Sequence, residues 1–256
     1  MVVTLKKNDV YAGNLILVNQ AHAYQPHAGL EREDLVGVSD SGVRLKKSAA
    51  VCLKRLLRAV RAQKQIAAVS GWRSANEQQR IWDDSLAEYG KAFTETYVAL
   101  PGHSEHQTGL AIDLGRMQDS IDFIRPDFPY AGICGKFREC APEYGFVERY
   151  PKGREAVTGI GHEPWHFRYV GVPHAYFMAE QGMTLEEYID FLRRFPYGHK
   201  PYRMNRHNQV IDVSFQKVDL TKDAQLRLEL EECLSFEISG NNVDGFIITQ
   251  WRETDA

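Results

Sequence analysis

Residues 162–171 read His-Glu-Pro-Trp-His-Phe-Arg-Tyr-Val-Gly, and two different structures are open to this segment. Its first five residues have the spacing of the HExxH motif, in which two histidines four apart share a helix face and bind a metal ion. Pro164 opposes a helix because proline removes a backbone hydrogen bond and clashes with the preceding turn. The aromatic and β-branched residues around it favour a strand. We therefore predict a strand, on which His162 and His166 do not share a helical face.

A helical conformation of the same segment would make the chain a zinc endopeptidase of the HExxH type. The two histidines would then bind the metal together with Glu186 or Glu187, which lie at a permissible distance downstream. Pro164 and the strand-forming residues contradict the helix on which that motif depends. The endopeptidase hypothesis is therefore kept only as an alternative.

The composition is that of a globular protein. The chain has 256 residues, enough for one or two domains that fold without disulfide support. Apolar residues make up 43% of it and charged residues 25%, which excludes a disordered or collagen-like chain. The formal charge is -3, so the bulk electrostatics predict neither a nucleic-acid partner nor binding to a membrane surface. The four cysteines form no Cys-x-x-Cys pair, and we expect free thiols.

No segment is typical of export or of membrane insertion. The apolar run near the N-terminus covers only residues 15–18, whereas the core of a signal peptide needs about 7–15 residues. No stretch reaches the roughly 18 apolar residues of a membrane-spanning helix. We therefore predict a cytoplasmic protein without a membrane span.

Local signals predict strands and helices along most of the chain. Residues 66–69 form an apolar strand candidate. Ser74 and Glu77 have the spacing of a capping box, so a helix is expected to begin there and to run to about Tyr89. The other elements expected before Pro196 include strands at 14–18 and 110–114, helices at 43–63 and 135–144, and irregular chain at 91–109.

The character of the sequence changes after Pro196. The segments that follow are rich in β-forming residues and are separated by turn sequences; they lie at 210–215, 234–238 and 246–249. We predict a body of residues 1–196 and a small β-rich C-terminal appendage of residues 200–256, for which the sequence indicates no role. The predicted fold class is α+β, with a small mixed or antiparallel sheet and flanking helices in the body.

The metal-capable residues of the body form two clusters along the sequence. One is His103, His106 and Asp113, and the other is His162, Glu163 and His166. His106 lies in a glycine-rich turn, and Asp113 is an acid inside an otherwise apolar strand. A buried carboxylate is costly unless it is paired or metal-bound, so Asp113 is either a ligand or a hydrogen-bonded partner, for example of an arginine. With His166, these residues would supply the three nitrogen and oxygen ligands of a catalytic zinc site. Glu163 would then be the base.

Longer motifs surround these residues. Residues 70–74 read Ser-Gly-Trp-Arg-Ser and are followed by Gln78. Residues 104–113 read Ser-Glu-His-Gln-Thr-Gly-Leu-Ala-Ile-Asp, and residues 163–171 begin with Glu-Pro-Trp-His. In this order, the three segments resemble the substrate-clamping element, the S-x-H-x-x-G-x-A-x-D motif and the E-x-W-H motif of the zinc D-Ala-D-Ala peptidases of the VanY/VanXY family. The resemblance covers roughly residues 10–195. It implies that these residues form the α+β peptidase core of that family.

The resemblance implies a role for each matched residue. One Zn²⁺ per chain would be bound by His106, Asp113 and His166. Glu163 would act as general base and then as general acid, and Arg73 would stabilise the oxyanion of the scissile carbonyl. The substrate would be contacted by Gln78, Ser104 and Trp165. His103 is assigned to the support of a ligand or to the loop rather than to the metal, because three ligands are already supplied.

The implied activity is hydrolysis of the D-Ala-D-Ala bond at the C-terminus of peptidoglycan precursors, of the free dipeptide, or of both. Such an enzyme is a D,D-carboxypeptidase with D,D-dipeptidase activity of the vancomycin-resistance type, and its partner is a peptide ending in D-Ala-D-Ala. The alternative is a non-catalytic module that binds peptidoglycan stem peptides. Glu163 argues against that module, since a pure binder does not need a base. The sequence predicts no oligomeric state.

Overall fold

The structure is a computed structural model that describes residues 1–26, 34–38, 41–206, 208–221 and 224–253. In chain order the strands are β1 Val2–Lys6, β2 Leu35–Gly37, β3 Arg44–Lys46, β4 Ile66–Ser70, β5 Ala111–Arg116, β6 Phe146–Tyr150, β7 Glu163–Tyr169, β8 Tyr202–Arg206, β9 Gln209–Lys217, β10 Gln225–Glu229, β11 Ser235–Gly240 and β12 Gly245–Glu253. The helices are α1 Lys47–Ala59, α2 Ala75–Tyr89, α3 Lys91–Tyr97, α4 Gly132–Cys140, α5 Glu155–Thr158, α6 His174–Gln181 and α7 Leu185–Leu192.

The described residues form two compact units. The larger unit comprises the described residues 18–24 and 34–184, and the smaller comprises 1–17, 25–26 and those from 185 onward. This mixture of helices with small antiparallel sheets confirms the predicted α+β class. The predicted division into 1–196 and 200–256 stays a prediction about independent folding. None of the described helices is long and apolar enough to cross a membrane.

The larger unit is built on a four-stranded antiparallel sheet with the order β4-β5-β7-β6. β4 is followed directly by α2, and the Ser74 hydroxyl accepts a hydrogen bond from the Glu77 amide at the start of that helix. Gly90 ends it with a φ of +79°, a backbone conformation that favours glycine. The predicted strands at 66–69, 110–114 and 162–171 and the capped helix from Ser74 are therefore confirmed.

Four predicted elements differ in the structure. The helix predicted at 135–144 is α4, which ends at Cys140, and a 3₁₀ turn that contains Pro142 follows at Ala141–Tyr144. Residues 14–18 are irregular rather than a strand, although Leu15–Val18 are buried; their apolar character reflects burial and not strand pairing. The helix predicted at 43–63 is shorter, because residues 44–46 pair with β2 as β3. The segment 91–109 is not irregular throughout, since it contains α3 and a 3₁₀ turn at Glu105–Thr108.

The smaller unit contains the predicted β-rich segments and three further strands, β1, β8 and β10. Its four-stranded sheet has the order β11-β12-β9-β8, and β1 pairs with β10. Residues from both ends of the sequence therefore share one apolar cluster, formed by Leu5, Val10, Val218, Leu228, Leu230, Phe246 and Ile248. The N-terminal strand belongs to the same unit as the β-rich C-terminal segments.

Candidate metal centre

Asp113 lies in a buried cluster on the strands β4, β5 and β7. In the sheet it pairs with Ser70 on one side and with His166 on the other. Oδ1 of Asp113 is 3.0 Å from Nδ1 of His166, and Oδ2 is 3.1 Å from Nε2 of His106, which lies in the 3₁₀ turn before β5. All of these residues are buried. The strand register therefore brings the three ligands predicted from the sequence together.

The cluster fits a metal ion. One potential ligand atom from each of His106, Asp113 and His166 lies within 4.8 Å of the others, and no second such group occurs in the described part of the chain. Oδ1 of Asp113 is buried and, among the described residues, has no hydrogen-bond partner. An unsatisfied buried carboxylate oxygen is costly, and a cation would satisfy it. Two imidazoles and a carboxylate are also a donor set that zinc accepts.

The backbone fixes the orientation of His106. Its Nδ1 is 2.7 Å from the carbonyl oxygen of Gly71, and an N–H at this position donates to that oxygen. The lone pair is then on Nε2, the nitrogen that faces Asp113. Hydrogen bonding of the remote ring nitrogen is the usual way in which a protein selects the tautomer of a metal-binding histidine.

The charges of the cluster are strongly coupled. Burial alone would raise the pKa of Asp113, but His106 and His166 hold it well below its usual range, so Asp113 is a carboxylate. Burial would lower the pKa of His166, yet the carboxylates of Asp113 and Glu105 raise it to about 9. Burial and the charge of Arg73 lower the pKa of His106. Without a metal, these carboxylates favour the protonated form of His166.

Glu163, the predicted base, begins β7 beside the ligands. Its Oε2 is 3.6 Å from Nδ1 of His166, and the residue is only 5% exposed. Burial raises the pKa of Glu163 to about 8, with His166 and Arg73 opposing the rise. A carboxyl group that titrates near neutral pH is suited to accept and return a proton during a reaction.

Arg73 is held by three side chains at the end of β4. Its Nη2 donates to Oδ2 of Asp113 at 2.9 Å, its Nε to the Ser70 hydroxyl at 2.8 Å, and its Nη1 to Oε1 of Gln78 at 3.3 Å. The Phe123 ring lies 5.5 Å from the guanidinium carbon. The guanidinium is therefore fixed next to the candidate metal ligands rather than mobile in solvent.

A partly open cleft gives access to the cluster. All of the predicted site residues line it: Arg73, Gln78, Ser104, His106, Asp113, Glu163, Trp165 and His166. Gln78 is fully buried, and besides accepting from Arg73 it donates from Nε2 to the carbonyl of Ala99 at 2.8 Å. Ser104 and Trp165 are buried in the wall.

The HExxH interpretation is wrong, because Glu163–Tyr169 is a strand and not a helix. His162 precedes this strand and is not among the candidate metal ligands. Its Nε2 is 2.8 Å from the Tyr130 hydroxyl and 3.6 Å from Glu148 Oε1. His103 also lies outside the cluster, with Nδ1 2.7 Å from the carbonyl of Asn19. Strand geometry therefore separates His162 from His166.

The sequence reasoning missed a buried ionic group behind His166. Glu105 accepts hydrogen bonds from Arg149 and Arg168, and its Oε2 is 3.5 Å from Nε2 of His166. These arginines hold the pKa of Glu105 well below its usual range, although burial opposes them. One signal was available: Arg168 follows His166 by two residues, and such residues share a face of a strand.

Comparisons with known proteins show the family of the chain. A family model described as VanY, D-alanyl-D-alanine carboxypeptidase, matches residues 42–172. The bifunctional D-Ala-D-Ala dipeptidase and carboxypeptidase VanXYC of Enterococcus gallinarum is 44% identical over 179 residues, which are 70% of this chain and 94% of that protein.

Two solved structures are also similar. The vancomycin-resistance D,D-dipeptidase VanXYg in complex with a D-Ala-D-Ala phosphinate analog is 44% identical, with a TM-score of 0.93 over 98% of this chain and 99% of that one. A mutant of the D,D-pentapeptidase VanY from a VanB-type resistance cassette, in complex with Zn(II), is 34% identical, with a TM-score of 0.56 over 69% of this chain and 98% of that one. By sequence and by structure, the chain belongs to the VanY family of D-alanyl-D-alanine carboxypeptidases.

Proposed function

We propose that the chain is a zinc-dependent D,D-peptidase that hydrolyses the bond between two terminal D-alanines. The observation that carries this proposal is the buried cluster of His106, Asp113 and His166, with Glu163 beside it in an accessible cleft. We assign one Zn²⁺ per chain to these three ligands. When bound, zinc activates a water molecule for attack and polarises the scissile carbonyl.

Glu163 moves the proton in this proposal. Its carboxylate accepts a proton from the attacking water, whose oxygen bonds to the carbonyl carbon. The C–N bond then breaks, and Glu163 returns the proton to the nitrogen of the leaving D-alanine. Its position beside His166 Nδ1 supports this role, and proton transfer of this kind contributes about 10²- to 10⁴-fold to a rate.

Arg73 stabilises the negative charge that develops on the carbonyl oxygen. Its contacts with Ser70, Gln78 and Asp113 support this role, because a guanidinium fixed in advance needs no reorganisation during the reaction. Gln78 is assigned to positioning Arg73, since both ends of its amide already have partners. Contact of Gln78, Ser104 and Trp165 with the substrate stays a prediction.

The relatives support two substrates, the free dipeptide D-Ala-D-Ala and a peptidoglycan precursor ending in it. The protein of Enterococcus gallinarum is named for both activities, and VanXYg was solved with an analog of the dipeptide. Removing such ends leaves altered precursors, which supports a role of the vancomycin-resistance type. Location in the cytoplasm, where these substrates would be met, stays a prediction.

The test is release of D-alanine from D-Ala-D-Ala and from UDP-MurNAc-pentapeptide, measured side by side. We expect release from both, loss of release with a chelator, and recovery on adding Zn²⁺. Release that is insensitive to the chelator, or no release from a zinc-loaded protein, would contradict the proposal.

If the chain were instead a non-catalytic binding module, the wild-type protein would bind the peptide without hydrolysing it. A Glu163→Gln variant separates the two functions, because only proton transfer is removed. We expect it to bind zinc and peptide normally and to lose about 10²- to 10⁴-fold in kcat. A kcat close to that of the wild type would exclude Glu163 as the base.

A further inference from the structure

Glu105 is a buried carboxylate that the proposed reaction does not use. Its side chain is fully enclosed, and Oε1 accepts from Nε of Arg149 at 2.8 Å and from Nη1 of Arg168 at 2.7 Å. Oε2 has no hydrogen-bond partner in the described ranges of the chain, and the same holds for Nε2 of His166. These two orphaned atoms face each other at 3.5 Å.

The two ring nitrogens of His166 face different groups. Nδ1 points toward Asp113 Oδ1 at 3.0 Å and Glu163 Oε2 at 3.6 Å, which is the side of the proposed metal. Nε2 lies on the other side of the ring and meets Glu105. A carboxylate that accepts from the remote N–H of a metal-binding imidazole fixes its tautomer, orients the ring and raises its basicity.

The strands explain why Glu105 can be held in this place. His166 and Arg168 lie two residues apart on one face of β7, and Arg168 pairs with Val147 on β6. Arg149 lies two residues after Val147, where the register between β6 and β7 shifts, and its Nε reaches Glu105 directly. The two arginines therefore reach Glu105 from adjacent strands and leave one of its oxygens for His166.

We propose that Glu105 is a positioning residue that orients His166 for zinc through Nε2 and is itself held by Arg149 and Arg168. This inference rests on the zinc site of the proposed function. It concerns metal binding and not peptide turnover, so its test needs no substrate.

The experiment measures the zinc affinity of Glu105→Gln by competition with a chromophoric chelator. Glutamine keeps the size of the side chain and removes its charge. We expect the variant to fold, as judged by circular dichroism, and to bind zinc about 10- to 100-fold more weakly than the wild type, which is the usual cost of removing such a partner.

Asp212→Asn is the matched control. Asp212 is also a buried acid held by two arginines, Arg203 and Arg252, but it belongs to the smaller unit. We expect this variant to lower Tm and to leave zinc affinity unchanged. A Glu105→Gln protein that loses Tm but keeps wild-type zinc affinity would show that Glu105 is only structural and would overturn the inference.

Glu105→Asp covers the case in which Glu105→Gln does not fold, because it keeps a charge for the arginines and shortens the reach toward His166. Weaker zinc binding by folded Glu105→Asp supports the inference, and wild-type affinity overturns it. Failure of the peptidase assay on a wild type that binds zinc would contradict the proposed function and leave the result for Glu105 standing.

Discussion

At Asp113 one carboxylate faces two imidazoles and a guanidinium inside the protein. Arg73 and His106 both approach Oδ2, whereas Oδ1 faces His166 without a hydrogen bond in the described ranges. Of the two roles left open by the sequence, the structure shows Asp113 as a partner of Arg73, and its role as a metal ligand stays a prediction that the position of both imidazoles supports.

Asp113→Ala should abolish zinc binding and activity together, because it removes the ligand that both histidines face. The loss of zinc affinity should exceed the roughly 10- to 100-fold cost of removing an outer partner. His162→Ala is the matched control, since His162 contacts Tyr130 and Glu148 and lies outside the cluster. Zinc content is measured by atomic absorption after dialysis. Loss of zinc from His162→Ala with retention in Asp113→Ala would reverse the ligand assignment.

At the scale of elements, the sequence predicted best where the signal is local. The strands β4, β5 and β7 are short apolar runs, and Ser74 marks the start of α2; these elements are confirmed, and the Ser74 hydroxyl accepts from the Glu77 amide as an N-cap. Two of the strands that were missed depend on distant partners. β6 is a strand because it pairs with β7, and β10 because it pairs with β1 at the other end of the sequence.

The same distinction applies to the site. His106, Asp113 and His166 could be predicted because their motifs are long and ordered along the chain. Glu105 was missed, because the spacing of Arg168 and His166 marks a shared strand face but does not identify the carboxylate that the sheet brings to Arg149 and Arg168. Local sequence predicts what a segment forms, and tertiary pairing decides which charges meet.

Arg73 is placed by two confirmed elements, the end of β4 and the start of α2. Because its charge matters most when the carbonyl oxygen becomes an oxyanion, Arg73→Ala should lower kcat by about 10²- to 10³-fold. Arg73→Lys keeps the charge but loses the planar guanidinium group that reaches Ser70, Gln78 and Asp113. Its kcat should therefore lie between that of the wild type and that of Arg73→Ala.

Steady-state kinetics with D-Ala-D-Ala and zinc analysis check this prediction. Both variants should retain zinc, because Arg73 is not among the proposed ligands. A rise in KM alone for Arg73→Ala would instead identify Arg73 as an anchor for the ground-state substrate.

For the whole molecule, the buried charges predict how stability depends on pH. Glu163 and His166 have folded-state pKa values of about 8 and about 9, both above their ordinary values. The folded state therefore holds protons that the unfolded state has already lost. This stabilisation disappears as the pH rises through those values, by at most about 1.4 kcal/mol per pH unit for each proton.

Thermal unfolding of the metal-free protein should therefore show a Tm that falls from about pH 7 to about pH 9.5. The fall should be shallower in Glu163→Gln, which lacks one of the two groups. Zinc competes with the proton on His166, so the increase of Tm on adding zinc should grow over the same interval. A Tm of the metal-free protein that rises with pH would contradict the assigned protonation states.

The two compact units predict which fragment of the chain folds. All of the proposed site residues lie between 73 and 166, in the larger unit. Residues 18–24 are tied into that unit by hydrogen bonds from Gln20 to Gly159 and from Tyr24 to Gly102. The apolar cluster that contains Leu5 and Val10 draws its other members from residues 218–248.

A fragment of residues 18–184 should therefore be soluble and bind one zinc, whereas a truncation that keeps residues 1–199 should aggregate. The longer fragment retains β1, Leu5 and Val10 but lacks β10 and the residues that cover them, so it exposes apolar surface. Size-exclusion chromatography and zinc analysis of both fragments check this. If residues 1–199 are monomeric and zinc-loaded while 18–184 aggregates, the body of residues 1–196 predicted from the sequence is the better description of the folding domain.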